Sequence, residues 1–256
     1  MVDRYYRDED YQTFRGFRVL AVDGSAQQLT DSPQLRAKYG VAKARPSQLY
    51  DVLNGIGGVH AIIAPFRTGE RVLTRQHIQA FLRLAFDTIA TVMLFDRGYP
   101  SLTLPYYLMH YGIRQVMRVP SGFYPKNIGA ARSNTWVTLT LSSAQALELR
   151  EQGIPATAGT AVRLRVIKFT LPSGQIETLV TTVTEEEMPE DAFGELYFKR
   201  WRSEVHYGQD KYALEVENFS GTTPRVVEQD YYCDHVVLEF GGDRAGGSPS
   251  GGRGDS

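Results

Sequence analysis

Cysteine is almost absent from this chain of 256 residues, since Cys233 is the only one. An intrachain disulfide framework and a zinc site built from several thiolates are therefore excluded. Long apolar runs are also missing, and those present, such as residues 91–95, are far too short to cross a bilayer. The first 15 residues are polar and charged, unlike a secretory signal. We therefore expect a cytoplasmic protein without a membrane partner.

The chain has no excess of either charge. Its 28 Lys and Arg residues against 29 Asp and Glu residues give a net charge of −1. This balance argues against a protein that coats nucleic acid non-specifically, although a local basic face is compatible with it. Hydrophobic residues make up 42% of the chain, enough for the core of one large domain or of a domain with an insertion.

Two apolar segments run directly into an aspartate. FRVLAV at residues 17–22 precedes Asp23 in an Asp-Gly-Ser sequence, and TVMLF at residues 91–95 precedes Asp96 in an Asp-Arg-Gly-Tyr sequence. One such aspartate is readily explained as a turn or helix-cap residue. Two of them, each after a strand buried on both faces, favour a site, because sites on open α/β sheets form at the carboxyl ends of strands.

The segment between these two strands and the segment that follows the second strand both have clear periodicities. The apolar positions of residues 70–90 predict an amphipathic helix, on which His77 and Asp87 are expected to be surface groups rather than ligands. The other elements predicted in this half are strands at 59–65 and 113–119 and a helix at 101–112.

From residue 120 onwards Gly, Pro and Ser separate strand-like segments. Residues 162–171 and 176–184 flank PSGQ, a plausible hairpin loop. We interpret residues 120–190 as a β-rich insertion. The Gly- and Ser-rich end of the chain, 241–256, is predicted to be disordered.

The stretch at residues 196–211 has Tyr197, Arg200, Glu204 and Lys211 at successive offsets of three, four and seven residues. On a helix these positions share one narrow stripe. A carboxylate flanked by two cations is typical of a site in which the carboxylate binds a metal ion and the cations bind a phosphate beside it.

Three carboxylates are thus candidates for a metal centre: Asp23, Asp96 and Glu204. Magnesium and manganese prefer oxygen ligands. Two such ions about 3.5–4 Å apart can activate an attacking oxygen and stabilise a leaving one in phosphodiester displacement.

The pieces RVLAVDGS, LFDRGYPS and LYFKRWRSEVHYGQDK resemble the three conserved blocks of insertion-sequence DDE transposases, over about residues 16–232. The Tyr-x2-Arg-x3-Glu-x6-Lys spacing is similar to the hallmark of the insertion-sequence-four family. The resemblance implies an α/β fold with an RNase H-like (retroviral integrase-like) catalytic core and a β-rich insertion before the last catalytic helix. The resulting divisions are an N-terminal segment at 1–15, core at 16–119, the insertion at 120–190, core with the catalytic helix at 191–240, and the tail at 241–256.

This resemblance implies that Asp23, Asp96 and Glu204 are catalytic and bind two Mg²⁺ ions, for which Mn²⁺ can substitute. The implied activity is cleavage and strand transfer of double-stranded DNA, at transposon ends and target DNA, in cut-and-paste transposition. A junction resolvase of the same fold is a less fitting alternative, because the Tyr-Arg-Glu-Lys spacing argues against it.

The resemblance also implies that Tyr197, Arg200 and Lys211 hold phosphates of the transposon end. Trp136 is either an ordinary strand residue or a platform on which a displaced base stacks. Arg97, in the second block, is either structural or DNA-facing.

Relatives carry longer terminal regions for DNA binding and for pairing two subunits on DNA. We therefore expect a bacterial-type, nucleoid-associated protein that is shortened at both ends. The alternative is a truncated, catalytically inactive remnant that still binds DNA.

Overall fold

The computed structural model describes residues 6, 11–84, 89–200 and 219–241, with the side chains of 57, 58 and 234–241 excepted. The strands of this part of the chain are β1 (Arg18–Gly24), β2 (Gln27–Gln28), β3 (Lys43–Asp51), β4 (Ile56–Pro65), β5 (Thr91–Phe95), β6 (Arg114–Arg118), β7 (Thr135–Thr140), β8 (Ala161–Thr170) and β9 (Ile176–Thr181). The helices are α1 (Pro33–Tyr39), α2 (Glu70–Phe81), α3 (Thr103–His110), α4 (Ser143–Glu151), α5 (192–200) and α6 (Pro224–Gly241), with a π-helical turn at Pro125–Gly129.

All nine strands belong to one sheet in the order β2-β3-β1-β5-β6-β9-β8-β7, and β4 pairs with β3. Strands β1, β5 and β6 are parallel, whereas the pairs on either side of them are antiparallel. The expected mixed α/β class is confirmed, and the sheet is consistent with an RNase H-like arrangement. None of the described helices combines the length and apolarity that a bilayer span requires.

The central strands are apolar on both faces because helices cover both. Successive side chains of a strand point to opposite faces. Accordingly, Leu20 of β1 belongs to the core cluster on the α2, α3 and α4 side, and Ala21 to the cluster on the α5 side. Phe193 and Leu196 of α5 are fully buried in the second cluster. The first turns of α5 are therefore fixed against the sheet directly behind β5.

The predicted strands lie where the sequence patterns place them, but three helices differ from expectation. Helix α1, at Pro33–Tyr39, was not predicted. Helix α2 begins at Glu70 as predicted and ends at Phe81, and Asp87 lies outside the described residues. Helix α4, within the segment interpreted as β-rich, was not predicted. It begins with a capping box in which Ser142 and Gln145 exchange hydrogen bonds, a local signal that the strand-like reading overlooked.

The expectation that His77 is a surface group is wrong, because its side chain is completely buried. Its ring lies between Ser47, whose Oγ is 2.9 Å from Nε2, and His60, whose Nδ1 is 2.9 Å from Nδ1 of His77. Both ring nitrogens thus have partners, and a histidine satisfied in this way can stay inside. Burial, aided by the proximity of His60, lowers the pKa of His77 to about 3, so the ring is neutral.

Candidate active site

Asp23 and Asp96 lie side by side at one edge of the sheet. Strands β1 and β5 are parallel neighbours in which Val19 pairs with Val92 and Ala21 with Leu94. The same register, continued by two residues, places Asp23 opposite Asp96. Because adjacent strands are about 4.8 Å apart, the two carboxylates share one small region of the sheet edge. The strand-end aspartates of the sequence are therefore brought together.

Asp23 is held by β3, which lies tightly against the end of β1. Its Oδ1 accepts the N–H of Gly24 at 2.8 Å, and its backbone carbonyl accepts the hydroxyl of Ser47 at 3.1 Å. A Cβ on Gly24 would come within 3.3 Å of the Pro46 carbonyl oxygen, so glycine suits this close approach. Burial raises the pKa of Asp23, against the hydrogen bond from Gly24 and the charge of Arg200.

Asp96 is more open and is surrounded by donors. Its side chain is 40% exposed. Its Oδ1 lies 3.7 Å from Nη1 of Arg118 and 3.6 Å from Nη2 of Arg200. The hydroxyl of Tyr197 donates to the same oxygen at 3.4 Å. Strand β6 supplies Arg118 from its carboxyl end and α5 supplies the other two, so two elements converge on the carboxylate that follows β5.

A second carboxylate, Glu177 of β9, lies behind this group and is only 2% exposed. It accepts two hydrogen bonds from Arg118 and, at 2.9 and 3.1 Å, two from Nη2 of Arg97. Burial alone would raise the pKa of Glu177, but the hydrogen bonds and charges of Arg118 and Arg97 bring it below its ordinary value. The glutamate therefore stays ionised. It fixes the guanidinium group of Arg118 beside Asp96 and also binds that of Arg97.

Glu70, the first residue of α2, brings another carboxylate to the same edge. It pairs with Nη1 of Arg45 at 2.8 Å. Its Oε2 lies so close to Gly98 that a Cβ there would be 2.7 Å away. The negative charge of Glu70 is one of the factors that raise the pKa of Asp23, after burial and after Asp96.

The chemistry of this donor set fits a hard divalent cation. Carboxylate oxygens are what magnesium and manganese bind, and a cation would relieve the electrostatic cost of ionising the half-buried Asp23 beside Asp96. Among the described residues there is no group of three or more His, Cys, Asp or Glu side chains that could hold a metal. Within this part of the chain, Asp23 and Asp96 are the two carboxylates that the β1–β5 register places side by side.

A family model described as Transposase DDE domain matches residues 15–232. The chain belongs to this transposase family. No curated protein sequence matches it significantly. Because the chain has a transposase DDE domain, its binding partner is DNA. DDE transposases generally use divalent metal ions.

Four of the eight predicted site residues of the transposase cluster at this edge: Asp23, Asp96, Tyr197 and Arg200. Tyr197 and Arg200 are 3% and 2% exposed, so they face Asp96 rather than open solvent. Arg97 binds Glu177. Glu204 and Lys211 lie outside the described residues.

Trp136 lies far from the two aspartates. It lies on β7, four strands from β5 in the sheet, a separation of about 19 Å at ordinary strand spacing. The residue is 37% exposed, and the guanidinium of Arg163 lies over its ring, 5.2 Å from the centroid.

Three charged residues around the two aspartates were missed from the sequence: Glu70, Arg118 and Glu177. The sequence did contain a signal for Arg118, because this residue ends the strand that follows the Asp96 block and the carboxyl ends of parallel strands meet at one edge of the sheet. Glu70 opens a predicted helix, where acidic residues are ordinary. No sequence signal pointed to Glu177, which lies on a hairpin strand, since its position depends on the pairing of β9 with β6.

Proposed function

We propose that this transposase domain cleaves and rejoins DNA by divalent-metal-dependent phosphodiester chemistry at the edge formed by Asp23 and Asp96. The observation that carries the proposal is the β1–β5 register, which sets the two aspartates side by side. Glu204 is proposed as the third ligand. It follows Arg200 by four residues, one helical turn further if α5 continues.

Mg²⁺, or Mn²⁺ in its place, is the proposed cofactor, held as two ions by Asp23, Asp96 and Glu204. Bound there, it would supply charge stabilisation to the attacking and leaving oxygens of the phosphodiester. The proposed roles of the chain's own groups are positional. Arg200 and Tyr197 donate to a phosphate oxygen beside Asp96, as charge-assisted and hydroxyl donors.

Three further residues, Lys211, Arg97 and Trp136, are also proposed to bind DNA. Lys211 completes the Tyr-Arg-Glu-Lys spacing, which also supports membership of the insertion-sequence-four group and a cut-and-paste pathway on paired subunits. Arg97 is exposed at 41% of its side chain, so a phosphate can reach it while Glu177 holds it. Trp136 would contact DNA away from the reacting bond.

The proposed fold of the chain is an RNase H-like core interrupted by residues 120–190. This interpretation is supported by the way β9 pairs with β6 and extends the central sheet through β8 and β7. Helix α5, which follows this segment, then brings Tyr197 and Arg200 to the aspartate edge. The added strands thus contribute Glu177 to the site from outside the core.

The test is single-turnover nicking of duplex DNA with and without Mg²⁺. Wild type is expected to nick DNA only with metal, and Asp96→Asn and Glu204→Gln are each expected to lower the rate at least about a hundredfold. Asp191→Asn, an exposed carboxylate at the start of α5, is the matched control and should cleave normally. Equal rates for wild type and Glu204→Gln, or no cleavage by either, would contradict the proposal and favour a non-catalytic DNA-binding remnant.

A further inference from the structure

A groove of about 700 Å³ adjoins the aspartate edge on its α2 side. We call it the arginine groove, because Arg45, Arg67, Arg71 and Arg75 line it. Gly98, two residues after Asp96, forms part of the same lining. The groove is therefore continuous with the loop that carries one of the two central carboxylates.

The sheet topology explains why the groove lies at this edge. Strand β3 is antiparallel to both β1 and β4, so β1 and β4 run in the same direction. The carboxyl end of β4 is thus at the edge where Asp23 lies. Residues 66–69 and the first turn of α2 follow directly, and α2 then runs away from the edge.

The four arginines of the groove differ in how their charge is balanced. Arg45 pairs with Glu70 and Arg75 with Glu148, each at 2.8 Å. Arg67 and Arg71 are exposed, and within the described ranges neither has an ion-pair partner. Glu70 and Glu148 are both already engaged, so the groove has two positive charges available to a ligand.

The side chains behind the two exposed arginines form a fixed wall. Arg45 donates from Nε to the carbonyl of Phe66 at 3.2 Å and covers the Phe66 ring at 5.3 Å. Its pairing with Glu70 links β3 to the start of α2. The loop that carries Arg67 is thereby anchored at Phe66, and Arg71 is anchored by the helix.

We propose that the arginine groove binds the phosphate backbone of the DNA duplex next to the bond being cleaved, with Arg67 and Arg71 as the contacting cations. The proposal rests on the proposed function, which puts the reacting phosphate at Asp23 and Asp96. Guanidinium groups bind phosphate oxygens through paired, charge-assisted hydrogen bonds. Contacts of this kind position a duplex without reading its sequence.

The experiment is a salt titration of the affinity for a random-sequence duplex, measured by fluorescence anisotropy without divalent metal. The Arg67→Ala/Arg71→Ala double variant is expected to bind about tenfold more weakly at low salt. Its slope of log affinity against log salt should be shallower by about 1.8, because each lost phosphate contact removes about 0.9. Arg67→Lys/Arg71→Lys keeps the charges and should keep the slope.

Arg83→Ala is the matched control. Arg83 is an exposed arginine just beyond the other end of the 12-residue helix α2, about 18 Å from its start, and its variant should bind as wild type does. An unchanged slope for the double alanine variant, or an equal loss for Arg83→Ala, would overturn the proposal.

Nicking by wild type, measured in the same preparations, separates this proposal from the proposed function. If wild type cleaves DNA and the double alanine variant binds it with an unchanged slope, the groove assignment is wrong and the catalytic one stands. If Asp96→Asn and wild type nick DNA equally while the slope still falls, the catalytic assignment fails, and the groove is retained as a contact for the duplex but not as a neighbour of the cleaved bond.

Discussion

The two aspartates at the sheet edge are supported in different ways. Asp96 lies among charges, with Arg118 and Arg200 within 3.7 Å and Glu177 behind them. Asp23 is supported by a neutral chain in which Ser47 bonds its carbonyl and His77 bonds Ser47. The difference indicates that the Asp96 side depends on ion pairs, whereas the Asp23 side depends on burial and on neutral hydrogen bonds.

This contrast has a chemical reason. Asp96 is 40% exposed and faces the region where a phosphate would bind, so cations there can serve both carboxylate and phosphate. Asp23 lies deeper, where an additional buried charge would be costly unless paired. A neutral His77 avoids that cost while it orders the strand that carries Ser47.

The largest effect is expected from removal of the charge behind Asp96. Glu177→Ala leaves Arg118, which is 13% exposed, without its main carboxylate partner. Because breaking a largely buried ion pair is costly even when Arg118 keeps its longer contact with Asp96, the free energy of unfolding should fall by about 3 kcal/mol in urea titrations. Glu151→Ala, an exposed glutamate at the end of α4, should change it by less than about 0.5 kcal/mol. Equal losses of unfolding free energy in Glu177→Ala and Glu151→Ala would show that the Asp96 side does not depend on ion pairs more than the Asp23 side does.

A smaller effect, with a characteristic pH dependence, is expected on the Asp23 side. The folded protein holds the pKa of His77 at about 3, well below its ordinary value of 6.5. The unfolded chain therefore binds more protons between these values, and the free energy of unfolding falls as pH decreases from 6.5. His77 contributes a slope of up to about 1.4 kcal/mol per pH unit.

His77→Gln removes this titration, so its unfolding free energy should depend less steeply on pH between about 4 and 6 than that of wild type. Chemical unfolding at a series of pH values measures both slopes. His110→Gln, at the exposed end of α3, is the comparison variant. Parallel curves for wild type and His77→Gln would show that the ring is not held neutral.

The smallest effect is expected at Arg97, on the outer side of Glu177. Its side chain is 41% exposed, so its ion pair is screened by solvent and contributes less than about 1 kcal/mol to stability. Thermal unfolding of Arg97→Ala should therefore resemble that of wild type, in contrast to Glu177→Ala. A loss as large as that of Glu177→Ala would mean that Arg97, rather than Arg118, is the principal partner of Glu177.

The sequence predicted local elements well because their causes are local. The apolar runs before Asp23 and Asp96 form strands, and burial on both faces explains why these runs do not alternate with polar residues. Their parallel pairing, which joins the two carboxylates, follows from the expected fold class. His77 was misjudged because its hydrogen bonds to Ser47 and His60 come from strands distant in sequence.

The charged residues that surround the aspartates depend on contacts that no local pattern records. Glu177 approaches Arg118 only because β9 pairs with β6 across some sixty residues of chain. Glu70 meets Gly98 only because α2 begins at the aspartate edge. Of the stripe at residues 196–211, Tyr197 and Arg200 are the two members that the structure describes, and both contact Asp96.

The central claim is that the ends of β1 and β5 form one divalent-metal site. Fe²⁺ can take the place of Mg²⁺ and, with ascorbate and peroxide, generates radicals that cut the backbone beside the bound metal. The account predicts cuts near both Asp23 and Asp96 that are suppressed by excess Mg²⁺ and lost in Asp96→Asn. Cuts at other positions only, or cuts that Mg²⁺ does not suppress, would contradict it.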